Sequence, residues 1–183
     1  MRKVVLYELV SADGVAENPN SFLFDFDQEM DDHLGQVIGT QDTVLLGREM
    51  YDEWSNFWPT ADIQPFADFI NTVEKFVATS SPLTGSWPNA TAIEGPVADF
   101  VRELKAGDGG DIGIHGSLTL AESMLAAGVV DEVVLVVAPT LAGTGRRLVG
   151  TGDAFTRLET QSVTTAPCGA LMVHYRVTGH DRP

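Results

Sequence analysis

The sequence predicts an α/β fold in which a mostly parallel sheet lies between helices and carries an antiparallel C-terminal edge. Apolar strand-like segments alternate with helical patterns through most of the 183 residues, and strands alone finish the chain. Residues 132–138 form a near-continuous apolar run, which is typical of a strand covered on both faces. Residues 155–177 indicate two strands around a turn at 166–169. These observations predict three layers, with helices on both faces of the sheet.

The first elements can be placed from their patterns. Residues 4–10 predict a buried strand, which the segment 11–14 ends. Asp27 is positioned to cap a helix that stops at Gly39. Residues 43–46 predict the second strand, and a short helix follows Gly47. The apolar positions of the first helix have the spacing i, i+4, i+7, i+8 and are Met30, Leu34, Val37 and Ile38.

The middle of the chain continues the alternation. Strands are predicted at 75–79, 111–114 and, more weakly, 91–93, and a helical stripe covers 97–104. A further helix begins at Leu118, where Thr119 and Glu122 have the spacing of a capping box. No internal repeat or linker interrupts the pattern, so residues 1–183 are predicted to form one domain.

Composition limits the classes of function. The chain is 44% hydrophobic, enough for a sizeable core, and its formal net charge of −15 disfavours nucleic acid and anionic membranes as partners. Cys168 is the only cysteine, so no intramolecular disulfide can form. The histidines lack metal-ligand spacing, and no segment reads as a secretory signal or a membrane span. We therefore expect a cytoplasmic protein without a catalytic metal.

Two strand–glycine–helix junctions are the most informative segments. Residues 44–51 run from an apolar strand through Gly47 and Arg48 into a helix, and residues 112–120 repeat the plan through Gly116 and Ser117. Unpaired N–H groups at a helix start suit a phosphate, as does a guanidinium beside them. Two phosphate-sized sites suggest a dinucleotide, and hence a reductase.

Each of these features also has a structural explanation. Gly47 and Arg48 could be a turn glycine with a surface arginine, and Gly116 with Ser117 could be a tight turn with a helix cap. Ser80 and Ser81 could be turn residues or hydroxyl donors to a phosphate. Three aromatic residues could either pack in the core or form the wall of a pocket for a flat ring. They are Trp54, Phe57 and Trp58.

Taken together, these residues resemble the dihydrofolate reductase-like fold. The closer likeness is to the reductase C-terminal domain of bifunctional riboflavin-biosynthesis enzymes, and it covers nearly the whole chain. It rests on the order and spacing of several segments: SADG at 11–14, LLGREMY at 45–51, KFVATS at 75–80, IHGS at 114–117, Leu125, VDE at 130–132 and PTLAGTG at 139–145.

The resemblance implies NADPH bound along the carboxyl ends of the strands. The adenosine-side phosphates would meet Gly47, Arg48 and Glu49, and the 2′-phosphate would lie near Ser80 and Ser81. The pyrophosphate would be received at the second junction, by His115, Gly116, Ser117, Leu118 and Thr119. The loop 13–16, with Val15, would cover the nicotinamide. His115 stands where many relatives have glycine, so its side chain would either narrow the cleft or point into the core.

The substrate side follows from the same resemblance. Dihydrofolate reductases carry an acid on the first helix, and Asp31 is the nearest match by its spacing from Gly47. Asp13 is a second candidate catalytic acid, and both could instead be an exposed helix start and a turn residue. Trp54 and Trp58 would contact the substrate. The resemblance implies an NADPH-dependent reductase of a small C=N or C=O compound, pterin-like or riboflavin-precursor-like, and a homodimer. The alternative is a nucleotide-binding sensor that catalyses no reaction.

Overall fold

A computed structural model describes residues 1–150 and 155–181. Its strands are β1 (Val4–Ser11), β2 (Gln41–Gly47), β3 (Glu74–Ala78), β4 (Ala90–Ala92), β5 (Asp111–Ile114), β6 (Glu132–Ala138), β7 (Phe155–Thr165) and β8 (Leu171–Asp181). Its α-helices are α1 (Gln28–Ile38), α2 (Arg48–Phe57), α3 (Phe66–Thr72), α4 (Val97–Ala106) and α5 (Leu118–Ala126). Short 3₁₀ turns lie at Pro19–Ser21 and Trp58–Thr60.

One sheet of eight strands organises the described residues, in the order β4-β3-β2-β5-β1-β6-β8-β7. The first six strands in that order run parallel, whereas β8 is antiparallel to β6 and β7 is antiparallel to β8. The predicted parallel sheet with an antiparallel C-terminal edge is confirmed. No helix in this part of the chain is long and apolar enough to cross a bilayer.

The two faces of the sheet bury different side chains. Helices α1, α2 and α3 pack on one face, where Met30, Tyr51 and Ile70 join a core that also contains aromatic groups. Helices α4 and α5 pack on the other face, where Val101 and Leu120 join a mainly aliphatic core. Because parallel strands bury both faces, the helices on each side are needed to exclude water.

The caps of α1 form as predicted. The Asp27 carboxylate accepts a hydrogen bond from the Met30 N–H at 3.1 Å, and Gly39 ends the helix. The second Asp27 oxygen accepts the Cys168 N–H at 3.0 Å, which fixes the start of α1 to the β7–β8 turn. The sequence did not predict α3, because seven residues that include two phenylalanines and a β-branched isoleucine give little helical signal.

Candidate active site

A cleft opens where β5 stops short of its neighbours. The last register pair between β1 and β5 is Leu6 with Ile114, whereas β1 continues beside β6 as far as Ser11. Strand β2 also runs on, from Leu45 opposite Ile114 to Gly47. Among the described strands, nothing pairs with the β5-side edge of β1 beyond Leu6. Crevices of this kind, outside the carboxyl ends of parallel strands, are where α/β proteins bind ligands.

The two strand–glycine–helix junctions meet across this cleft. A Cβ atom on Gly47 would lie 2.1 Å from Ser117 Oγ, so only glycine permits the contact. Gly116 has φ +106°, and a Cβ atom there would lie 2.8 Å from Met50 Cε on α2. Ser117 itself adopts a left-handed conformation, with φ +60°. The close approach between the junctions explains Gly47, and the positive φ explains Gly116.

The start of α5 is open to a ligand. Ser117 is the N-cap residue but its side chain makes no capping hydrogen bond, and the first turn contains no acidic residue. The predicted capping box is wrong, because Thr119 lies inside the helix and its hydroxyl accepts a hydrogen bond from Arg146 at 3.3 Å. The unsatisfied N–H groups of a helix start and a neighbouring guanidinium together make an anion site.

Arg48 lies beside the serine pair, as the sequence argument expects. Its Nη1 donates to Ser81 Oγ at 2.7 Å and to the Pro82 carbonyl at 3.0 Å. Its Nε donates to both Asp52 oxygens, at 2.9 and 2.8 Å. Ser80 and Glu49 are exposed near it. The guanidinium is therefore already neutralised by a carboxylate, and an acid occupies the first turn of α2.

His115 points into the core and away from the cleft. Its Nε2 lies 2.7 Å from the Gln41 amide oxygen, and its ring centroid lies 5.3 Å from that of Phe66. Burial lowers the pKa of His115 to about 3, so the ring is neutral. A Cβ atom on Gly113 would lie 2.0 Å from Gln41 Oε1, so the hydrogen bond between Gln41 and His115 leaves room only for glycine at position 113. Of the two alternatives for the His115 side chain, the structure shows the one in which it points into the core, and a cofactor contact at this residue stays a prediction.

Asp13 holds a loop together. Its Oδ1 accepts hydrogen bonds from Ser11 Oγ at 2.7 Å and from the Ala142 N–H at 2.9 Å, and its Oδ2 accepts the Gly143 N–H at 2.9 Å. The Ser11 hydrogen bond and the two backbone donors lower the pKa of Asp13 to about 2. A carboxyl group with this pKa is ionised at neutral pH and is poorly suited to donate a proton. The neighbouring Val15 is buried, with its side chain in the core.

Asp31 is half-buried in the first turn of α1 and lines a groove. Burial, and then the charges of Asp32 and Asp27, raise its pKa above the ordinary value for aspartate. The groove has a volume of about 610 Å³ and lies between α1 and the segment before α3. Its lining residues are Gln28, Asp31, Asp32, Gly35, Gln36, Gln64 and Pro65.

The tryptophans stand behind this groove. The ring centroids of Trp54 and Trp58 lie 5.5 and 4.9 Å from that of Phe66, which follows the groove residue Pro65. Both tryptophans are partly buried, and neither lines the groove. Their rings pack on Phe66 in the core beside the groove, and direct contact with a substrate stays a prediction.

Three functional candidates were missed from the sequence. Tyr7 and Glu8 are the first β1 residues beyond the last pair with β5. Tyr7 Oη and Glu8 Oε2 are buried and have no hydrogen-bond partner among the residues that the structure describes. Burial raises the pKa of Glu8 to about 8. Glu8 could have been identified from the sequence, because it is an acidic residue within an otherwise apolar strand. Arg146 carried a weaker signal, as one of two adjacent cations in a very acidic chain.

The sheet order and the crevice between β1 and β2 define a dihydrofolate reductase-like α/β protein. The family model of the RibD C-terminal domain matches residues 2–172. The chain therefore belongs to the RibD C-terminal domain family.

Three individual proteins illustrate what the chain is similar to. The uncharacterized protein YwjB of Bacillus subtilis is 31% identical over 147 residues, which are 79% of this chain and 80% of YwjB. A pyrimidine reductase-like protein from Corynebacterium diphtheriae shares the fold with a TM-score of 0.71 and 18% identity, over 97% of this chain and 92% of that one. A bifunctional deaminase and 5-amino-6-(5-phosphoribosylamino)uracil reductase from Thermotoga maritima has a TM-score of 0.68 and 13% identity, and this chain covers 57% of it.

Proposed function

We propose that the protein is an NADPH-dependent reductase of a small C=N or C=O compound. One observation carries the proposal: the two glycine junctions touch at Gly47 and Ser117, beside an open α5 start that Arg146 approaches. This arrangement fits a pyrophosphate, which needs backbone N–H groups, close backbone approach and a cation. Membership of the RibD C-terminal domain family, and solved neighbours named as a pyrimidine reductase-like protein and as a uracil reductase, support the same class of reaction.

The residues at both ends of the cleft fit the rest of the cofactor. The N–H groups at Leu118 and Thr119 would receive the pyrophosphate together with Arg146. Arg48, Ser80 and Ser81 would meet the 2′-phosphate, with Arg48 already oriented by its bond to Ser81. When bound, the nicotinamide supplies the hydride. The protein then has to orient the two reactants and exclude water between them.

Asp31 is the proposed proton donor. A C=N or C=O group that gains a hydride also needs a proton on its nitrogen or oxygen. The pKa of Asp31 is raised by burial and by neighbouring acids, whereas that of Asp13 is lowered to about 2. Asp31 also lines the groove, whereas both Asp13 oxygens already accept hydrogen bonds. Asp31 is therefore the better candidate of the two.

Titration of NADPH and NADH, followed by cofactor fluorescence, tests the cofactor assignment. We expect NADPH to bind more tightly, and Arg146→Ala to weaken it. Arg102→Ala is the matched control, because that arginine is exposed on α4 and paired with Asp99. Equal binding of both cofactors would exclude the NADPH preference. Binding without oxidation against pterins, aminouracils and quinones would instead support a non-catalytic nucleotide sensor.

We also propose a homodimer. Strand β7 is exposed along nearly its whole length at the edge of the sheet, with Phe155 67% and Val163 56% exposed. Exposed edge strands with apolar side chains are sites of association, and symmetric dimers are the commonest oligomers. Light scattering at micromolar concentration should give about twice the chain mass of 19.7 kDa. A mass of one chain would refute the dimer.

A further inference from the structure

The sheet order determines which strand the nicotinamide end of the proposed cofactor would reach. Arg48 and Ser81, the residues assigned to the 2′-phosphate, follow β2 and β3, and the helix start assigned to the pyrophosphate follows β5. Strand β1 lies beside β5 on the side away from β2. A dinucleotide with its pyrophosphate at the end of β5 would therefore extend its nicotinamide over β1.

The edge of β1 that this end of the cofactor would meet is not paired with another strand. The Lys3 carbonyl accepts a hydrogen bond from the Ile112 N–H of β5 at 2.7 Å. The next carbonyl, of Val4, accepts one from the Asp131 N–H just before β6 at 2.9 Å. Successive residues of a strand point their backbone groups to opposite edges, so the odd-numbered residues of β1 face β5. Because β5 has already ended, the Leu9 N–H and carbonyl face the cleft.

Glu8 places a buried acid beside this edge. Side chains alternate along a strand, and Leu6 packs in the core that includes α5, so the Glu8 side chain lies on the α5 face as well. Glu8 is 7% exposed, and its Oε2 has no hydrogen-bond partner among the described residues. Burial raises the pKa of Glu8 to about 8, and a hydrogen bond from the Leu9 N–H opposes that rise. The carboxyl group is therefore mostly protonated at neutral pH and lies against the Leu9 backbone.

A protonated carboxyl group is complementary to a primary amide. Its O–H donates to the amide oxygen, while its other oxygen accepts a hydrogen bond from the amide NH₂ group. The terminal torsion of a glutamate side chain is soft, so rotation about the last bond can present the unpartnered oxygen at the strand edge. Buried polar groups are rarely left without a partner, and an exception requires an explanation. An amide-bearing ligand at the edge of β1 would provide the missing partner for Glu8.

We propose that Glu8 binds the carboxamide of the nicotinamide and thereby orients the ring. This inference rests on the proposed function, because it requires the cofactor in the cleft. Asp31 belongs to α1, which packs on the opposite face of the sheet. The two acids would therefore have separate roles, with Glu8 orienting the cofactor and Asp31 supplying the proton.

Calorimetric titration with NADPH and with 2′-phospho-ADP-ribose tests this role. The second compound keeps the phosphates of the cofactor and lacks the nicotinamide. We expect Glu8→Leu, which removes both carboxyl oxygens, to weaken NADPH about 10-fold, within the range for a buried polar group that loses its partner. Binding of 2′-phospho-ADP-ribose should not change. An equal loss of both compounds in a variant that circular dichroism shows to be folded, or no loss of NADPH, would overturn the proposal.

A cofactor analogue supplies a test in the wild-type protein, which holds even if Glu8→Leu does not fold. The 3-acetylpyridine analogue of NADPH has a methyl group in place of the amide NH₂. Wild type should bind it about 5-fold or more weakly than NADPH, because the hydrogen bond to Glu8 is lost. Equal binding of the two cofactors by wild type would refute the role of Glu8.

Three variants sharpen the analogue comparison. Glu8→Gln should keep the preference for NADPH, because its side-chain amide can pair with the carboxamide. Glu8→Leu should lose that preference. Glu103→Leu, the same substitution at an exposed position of α4, is the matched control and should keep it.

The titrations also separate this inference from the function on which it rests. If wild type binds neither NADPH nor 2′-phospho-ADP-ribose, the proposed reductase fails and the role of Glu8 fails with it. If wild type binds both and Glu8→Leu changes neither affinity, cofactor binding stands and only the role of Glu8 is rejected.

Discussion

The two glycine junctions differ in how their cations are held. At the β2–α2 junction, Arg48 directly follows the glycine and is hydrogen-bonded to Asp52 and Ser81. At the β5–α5 junction, the cation is Arg146, which comes from a distant loop and contacts Thr119 in the first turn of the helix. The first turn of α2 also contains Glu49, and that of α5 contains no acid. Acids near a helix start compete with a bound anion for the positive end of the dipole. If the protein binds NADPH as proposed, we expect the second junction to supply more of the phosphate affinity and the first to contribute the selectivity for NADPH over NADH.

The largest effect is expected at Gly116. Gly116→Val should abolish NADPH binding, because the side chain would meet Met50 and block approach to the turn. Gly95→Val is the control, since Gly95 has φ +81° and nothing within 4 Å, so it has similar backbone strain without the close approach. Calorimetric titration and circular dichroism of both variants check this. If both variants unfold alike, backbone strain alone explains the glycine.

A variant of Asp31 tests the substrate side of the proposed site, which lies away from both glycine junctions. Asp31→Asn should reduce turnover by about 10²-fold, a typical general-acid contribution, and leave NADPH affinity intact. Asp108→Asn serves as control, because Asp108 lies in an exposed loop outside the groove lining. The loss should shrink at low pH, where solvent supplies the proton. Normal turnover of Asp31→Asn from pH 5 to 9 would rule out the assignment.

The two arginines compare the junctions directly. Arg146→Ala should cost about 1.5–3 kcal/mol of NADPH binding, the range for a hydrogen bond to a charged group. Arg48→Ala should cost less, because its guanidinium already pairs with Asp52, and should mainly reduce the preference for NADPH over NADH. Dissociation constants for both cofactors decide the order. A greater loss for Arg48→Ala would reverse our ranking of the junctions.

The last effect concerns stability and appears only in acid. The folded-state pKa of His115 is about 3, against an ordinary value of 6.5. The unfolded chain therefore binds a proton first, and stability falls as the pH drops from 6.5 towards 3. At pH 5 this amounts to about 2 kcal/mol relative to pH 7. Urea unfolding of wild type and His115→Gln at both pH values checks it, and an equal acid loss in the variant would contradict it.

Much of the fold follows from local pattern. The strand runs, the α1 cap at Asp27 and the glycines of both junctions could be predicted, because each depends on neighbouring residues. The direction of His115 could not, since its partner Gln41 is 74 residues away. Arg146 reaches Thr119 from 27 residues away, and that contact likewise leaves no local signal. Contacts between side chains that the sheet order brings together therefore could not be predicted from the sequence, whereas the backbone turns could.

The hydrogen bond between Gln41 and His115 over Gly113 also has a consequence for protein engineering. A methyl group at Gly113 would displace the Gln41 amide, so Gly113→Ala should be tolerated only after Gln41 is made smaller. The three positions are expected to behave non-additively in a mutational cycle, as residues in contact generally do. A library that varies Gln41, Gly113 and His115 one at a time would classify each position as intolerant of substitution. Varying them together would reveal alternative cores beneath the β5–α5 junction.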